Sequence, residues 1–186
     1  MKRKLISSFI IAAVIFLGVL GYEYLGTAES KDSVWGFTDS YETLEGIQAE
    51  ADLVVRVHVP LHYDIREFGG EERITKQAFY EVAIDEVFLD HTGENFDEES
   101  EIVVNQVIGM KDAEAAEYSS DQRMKPMKTG EYLLFLKRVT HPSDGKVYYV
   151  SNSPCHLYKW RDNKTFKNIA SDELAEIKYS DLTGGS

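Results

Sequence analysis

Cysteine is almost missing from this chain. Cys155 is the one thiol in 186 residues, so no internal disulfide can form, nor a zinc site built on several thiolates. Positive charge is also short. Lys and Arg number 20 against 32 Asp and Glu, a net charge of -12. That deficit opposes nucleic-acid binding, which needs cations to displace counterions from phosphates. Gly-x-Ser-x-Gly, His-Glu-x-x-His and Gly-x-x-x-x-Gly-Lys-Ser/Thr do not occur, so the common hydrolase and nucleotide signatures are absent. There is no internal repeat and no low-complexity tract. What is present is ordinary for a folded chain. With 43% apolar and 28% charged residues, wholesale disorder is excluded, and the length suits one domain.

Charge is unevenly placed. Lys2, Arg3 and Lys4 precede Leu5 to Tyr22, a stretch without charge. As a helix it would span about 27 Å, close to the hydrocarbon core of about 30 Å. Residues 1–26 therefore read as a signal peptide or an N-terminal membrane anchor, with the basic end cytoplasmic. Gly26-Thr27-Ala28 offers small residues for cleavage, whereas Tyr22 and Tyr24 suit an interfacial belt if the segment is retained. The expected location is the cell membrane, single-pass with an extracytoplasmic C-terminal domain, or outside the cell after cleavage. No cysteine follows the run, which excludes acylation as a bacterial lipoprotein. The three basic residues outweigh Glu23 by two within residues 1–27, so the other 159 residues carry -14. Such a domain stays soluble and avoids anionic lipid.

Residues 27–37 read as a linker docking through Trp35 and Phe37, and 38–182 as the folded domain. Asp39 or Ser40 can cap a helix over Tyr41–Glu50. Leu53, Val55, Val57 and Val59 then alternate with Val54, Arg56 and His58, a half-buried strand ended by Pro60. Phe79–Leu89 has Tyr80, Val82 and Ile84 on one face and slips phase near Asp85-Glu86, which predicts a bulge. Ile102–Val107 is a third strand. Lys111–Met127 is a long excursion in which Ala113–Glu117 can form a helical turn. Glu131–Val139 is the most apolar strand and the expected centre of the sheet. His141–Lys146 is a hairpin loop, with Asp144-Gly145 suited to positive φ. Val147–Ser151 returns, Cys155–Trp160 forms a last strand, and Ser171 caps a helix over Asp172–Ile177. The fold class expected is mainly β with flanking helices: a small closed barrel of five to six antiparallel strands, since closure removes exposed edges. An open sandwich is the alternative.

Several runs resemble a known family. Ala51-Asp52-Leu53-Val54-Val55-Arg56-Val57, then Tyr80-Glu81-Val82 leading to Asp85-Glu86-Val87-Phe88-Leu89, then Lys128-Thr129-Gly130-Glu131-Tyr132-Leu133-Leu134-Phe135-Leu136 and Tyr148-Tyr149-Val150 are similar to small exported bacterial domains. Those domains resemble the netrin-like, metalloproteinase-inhibitor-like barrel of OB type. The resemblance implies an OB-like barrel in an envelope setting. It does not carry the inhibitor mechanism, because that needs a disulfide-bonded N-terminal cysteine, and none lies near Ser40.

Candidate chemistry is sparse. Cys155 and His156 adjoin, but neighbours on a strand point to opposite faces, so no thiol–base pair follows. His58 and His62 lie about 13 Å apart along an extended chain, too far to share a zinc with bonds of about 2 Å. His91, His141 and His156 sit in separate segments. The loop from Asp90 to Glu101 is rich in carboxylates but lacks EF-hand spacing, because Gly93 is misplaced; weak calcium binding is the one metal reading it permits. Tyr148, Tyr149, Tyr158 and Trp160 cluster near the C-terminal strands and form the candidate contact surface for a peptide or glycan. The sequence therefore reads as a non-enzymatic, extracytoplasmic binding module. No cofactor is expected. A cell-envelope protein or wall polymer is the expected partner, the membrane is met through the N-terminal segment, and nucleic acid is not a partner. The alternative is a modulator or inhibitor of an extracellular hydrolase such as a protease.

Overall fold

The computed structural model describes residues 41–69, 71–118, 124–141, 144–151, 153 and 155–184. The apolar N-terminal run, the linker with Trp35 and Phe37, and the caps Asp39 and Ser40 lie outside the described residues. Among the described residues no helix is long and apolar enough to cross a membrane. The first element, α1 (Leu44–Glu50), starts later than the sequence predicts. Thr43 begins it, its hydroxyl accepting from Gly46 N at 3.1 Å and satisfying a donor left over at the helix start.

Strands follow: β1 (Leu53–Val59), β2 (Asp64–Gly69), β3 (Arg73–Asp90), β4 (Glu101–Asp112), β5 (Gly130–Thr140), β6 (Val147–Ser151), β7 (Tyr158–Arg161), β8 (Thr165–Asn168) and β9 (Glu176–Lys178). A short helix, α2 (Tyr179–Leu182), is the last element among the described residues. The described residues thus hold nine strands rather than five or six. Five of them pair as a closed ring: β1 with β3, β3 with β4, β4 with β6, β6 with β5, and β5 with β1. The ring is not wholly antiparallel. Val104 and Asn105 of β4 face Tyr149 and Val150 of β6 in parallel register. A parallel neighbour needs a long crossover, which the segment after β4 together with β5 supplies.

Alternation along β1 and β5 places side chains on two faces. Leu53, Val55, Val57, Tyr132, Leu134 and Leu136 pack inside the ring with Tyr80, Val82 and Ile84. Val54, Leu133 and Phe135 point out, where α1, Tyr158, Phe166 and Ile177 cover them in a second core. That covering explains why Val54 is as buried as its inward neighbours. The expected bulge is present. Arg56 faces Glu86 and Val57 faces Ile84, so Asp85 is left unpaired.

Three expectations need correction. Asp172–Ile177 is not a helix. Ser171 Oγ does accept from Glu173 N at 3.0 Å, but Leu174 then turns left-handed (φ 41). Ile177 instead joins β9, opposite Phe166. Cys155–Trp160 is not one strand, because β7 starts at Tyr158. Ala113–Glu117 contributes a turn only, with Ala115 N donating to Asp112 O at 3.0 Å.

Candidate functional site

A groove of about 600 Å³ lies on the outer face of the ring. Pairing sets its composition. Asp64 stands opposite Phe79 and Glu81 opposite Val103, and on β3 Phe79 and Glu81 alternate with Tyr80 and Val82, which point into the ring core. Asp64, Arg66, Phe79, Glu81 and Val103 therefore share the outward face. Pro60, His62 and Tyr63 from the β1–β2 connection form one rim, and Lys146, Val147 and Tyr148 the other.

An aromatic wall organises the polar groups. The Tyr148 ring meets Phe79 edge-on at 5.1 Å, and His141 lies 4.2 Å from Phe68 behind them. The Arg66 guanidinium rests 4.7 Å above the Phe79 ring and 3.3 Å from an Asp64 oxygen, so it is held flat by a cation–π contact and steered by a carboxylate. Tyr148 OH donates to Asp144 Oδ2 at 2.7 Å, and Lys146 N donates to Asp144 Oδ1 at 3.0 Å. Those bonds stabilise the ionised carboxylate, the Tyr148 bond most, and hold Asp144 below the usual carboxylate range. Burial, then the Asp144 contact, pushes the Tyr148 phenol up. The turn that delivers Asp144 is the expected one: Gly145 adopts φ 67 and donates to His141 O at 2.9 Å.

The four aromatics singled out in the sequence do not meet on one surface. Tyr148 lines the groove. Tyr149 points into the ring core, its OH donating to Glu94 Oε2 at 3.0 Å. Tyr158 is fully buried in the second core and donates to Leu174 O at 3.0 Å. Trp160 is half-buried between Phe166 and Tyr179, with the Arg56 guanidinium 5.7 Å from its ring. Tyr63, Asp64 and Arg66, which join Tyr148, come from a segment to which the sequence assigns no element. Pro60, Phe79, Glu81, Val103, Lys146 and Val147 lie on strands and a loop that the sequence does show, Phe79 in phase opposite Tyr80, but no sequence signal brings them together.

Other candidates resolve as follows. Cys155 is half-buried and His156 is buried, and neither ring nitrogen of His156 has a hydrogen-bond partner among the described residues. The pair therefore does not form a thiol–base contact. In the acidic loop, Asp90 is committed to Thr92 N, Thr92 Oγ1 and Phe96 N at 2.8, 2.6 and 3.1 Å. Burial alone would raise its pKa, but those donors outweigh it and lower it. Glu94 is paired with Arg138 Nε at 2.7 Å. Among the described residues no group of three or more His, Cys, Asp or Glu could hold a metal ion. The groove thus supplies two cations, two carboxylates and an aromatic wall, a set suited to recognition of a polar chain. No protein-family model and no curated protein matches this chain.

Proposed function

We propose that this chain is a non-enzymatic, extracytoplasmic binding module of the bacterial cell envelope, built on an OB-like barrel. The groove between Arg66 and Lys146 is its binding face. One observation carries the reading. Counted along the chain, the ring strands run in the order first, second, third, fifth, fourth, and back to the first. The third and fifth are the parallel pair. The groove lies on the second and third strands, between the first connection and the loop before the fifth strand. OB-type barrels bind extended polymers on that face, between those two loops. The basic, apolar start of the chain supports an envelope setting, and its acidity argues against nucleic acid as the polymer. An envelope protein or wall polymer is left as the ligand class.

The test is photo-cross-linking of the full chain in intact cells. A photoreactive residue at Glu81, exposed in the groove, is compared with one at Lys167, exposed on β8. The expected result is an adduct with a wall polymer or envelope protein from position 81 only. Equal labelling from both positions, or none from 81, overturns the reading.

A further inference from the structure

Strand β2 pairs with β3 along one edge, and among the described residues its other edge pairs with nothing. Five of its six residues are exposed, Asp64 to Glu67 in a continuous run. An open edge of this length is a template for another strand. Among the described residues the one other terminal strand of the sheet, β9, has three residues. Among the described residues, large apolar side chains are exposed beside the β2 edge and almost nowhere else. Leu61, Tyr63 and Ile65 are 70%, 38% and 48% exposed, and Ile169 is the fourth such residue among those described. The three fall at alternate positions, so they share one side of an extended chain.

We propose that β2 pairs with β2 of a second copy of this chain, antiparallel, with Ile65 on the two-fold axis. The charges choose the partner and the register. In a symmetric antiparallel pair, directly opposed side chains lie on the same face, so residues of like parity must oppose each other. Over the continuously exposed stretch Asp64 to Glu67 this leaves registers centred on residues 64, 65, 66 or 67. Centring on Asp64, Arg66 or Glu67 places that charge against its own copy, which is destabilising. Centring on Ile65 sets Asp64 against the partner's Arg66, Arg66 against the partner's Asp64, and Ile65 against the partner's Ile65. Edge strands are usually blunted by charge; here Asp-Ile-Arg is self-complementary and rejects the neighbouring registers instead. The ion pair already present within one chain, Arg66 Nη2 to Asp64 Oδ2 at 3.3 Å, is exposed and can be exchanged across the axis. Because the axis is normal to the sheet, the grooves of both copies would open on the same side. The pairing does not depend on what the grooves bind.

Two measurements on the full chain test it. Directly opposed residues bring Cα atoms to about 4.5–5.5 Å, within disulfide reach. In a Cys155→Ala background, Ile65→Cys should form a disulfide-linked dimer under mild oxidation. Glu67→Cys, four positions out of register with its copy, should not. In sedimentation equilibrium Arg66→Asp should weaken the dimer at least tenfold, and Asp64→Arg likewise. The double swap Asp64→Arg with Arg66→Asp should restore it, although it still lacks Arg66 on Phe79. Cross-linking at 67 equal to that at 65 overturns the proposal. So does a monomeric wild-type chain at about 100 μM, a dimer unaffected by Arg66→Asp, or a double swap no better than the single variants.

Discussion

His156 is 1% exposed, and neither of its ring nitrogens finds a hydrogen-bond partner among the described residues. Its ring sits 5.9 Å from Tyr41 and 5.9 Å from Tyr158. Burial pushes its pKa down, and the negative charge of Glu173 only partly offsets this. The sign of the pH effect follows. Above about pH 6.5, the unfolded value, neither state binds the proton. Below it the unfolded chain takes up a proton that the folded state resists, so stability falls as pH falls. Between pH 7.5 and 5.0 stability should therefore fall progressively as the unfolded chain takes up its proton. His156→Phe should flatten that dependence. It should also add about 1 kcal/mol near pH 7, because two unpaired polar atoms leave the core. Thermal unfolding of both forms across this range checks it; equal acid sensitivity would remove His156 as the cause. Lys164 is a simpler case. It takes φ 58 in the turn between β7 and β8, where glycine carries no Cβ penalty. Lys164→Gly should raise stability by about 0.5 kcal/mol, seen as a higher urea midpoint.

At the scale of elements, the segment 124–128 is held by a buried polar knot. Tyr80 OH donates to Gln106 Oε1 at 2.9 Å. Met127 N donates to Tyr80 OH at 2.9 Å and to Gln106 Oε1 at 3.1 Å. Gln106 Nε2 donates to Lys125 O at 3.2 Å. Tyr80→Phe leaves Met127 N one acceptor and should cost about 1 kcal/mol. Gln106→Leu removes the other acceptor and strips Lys125 O of its donor, so about 2–3 kcal/mol is expected. Amide exchange at Met127 should quicken in that same order, and the reverse order would show that Tyr80 carries the segment. These elements also show what the sequence makes legible. β1 and β5 are readable because buried faces impose alternation, and the 141–146 loop because Asp144-Gly145 suits positive φ. β2 is unreadable: with four exposed charged or apolar residues in a row it has no hydrophobic alternation. β8 and β9 are too short for a period. The Ser171 signal was real as a local bond but did not extend, because pairing Ile177 with Phe166 buries both. The groove fails for another reason. Its residues come from four strands and two connections, and only the register between strands brings them together.

At the scale of the whole molecule, the two cores share their walls. Along β5, Leu134 packs inside the ring while Leu133 and Phe135 pack in the second core. Along β1, Val55 and Val54 divide in the same way. Neither core can lose its packing without disturbing strands that line the other, so the folded domain should unfold in one step despite its two clusters. Leu134→Ala and Phe166→Ala probe the two sides, since Leu134 belongs to the ring and Phe166 is covered by Trp160 at 4.8 Å. Each removes a fully buried side chain and should cost about 3–4 kcal/mol. Both should shift the denaturant midpoint without changing the slope. In a Trp35→Phe background, Trp160 emission reports the second core and far-ultraviolet circular dichroism the whole sheet. The two curves should coincide for the parent and for both variants. If Phe166→Ala separates them, with Trp160 released while the sheet signal persists, the C-terminal strands are an independent cover on the ring rather than part of one cooperative fold.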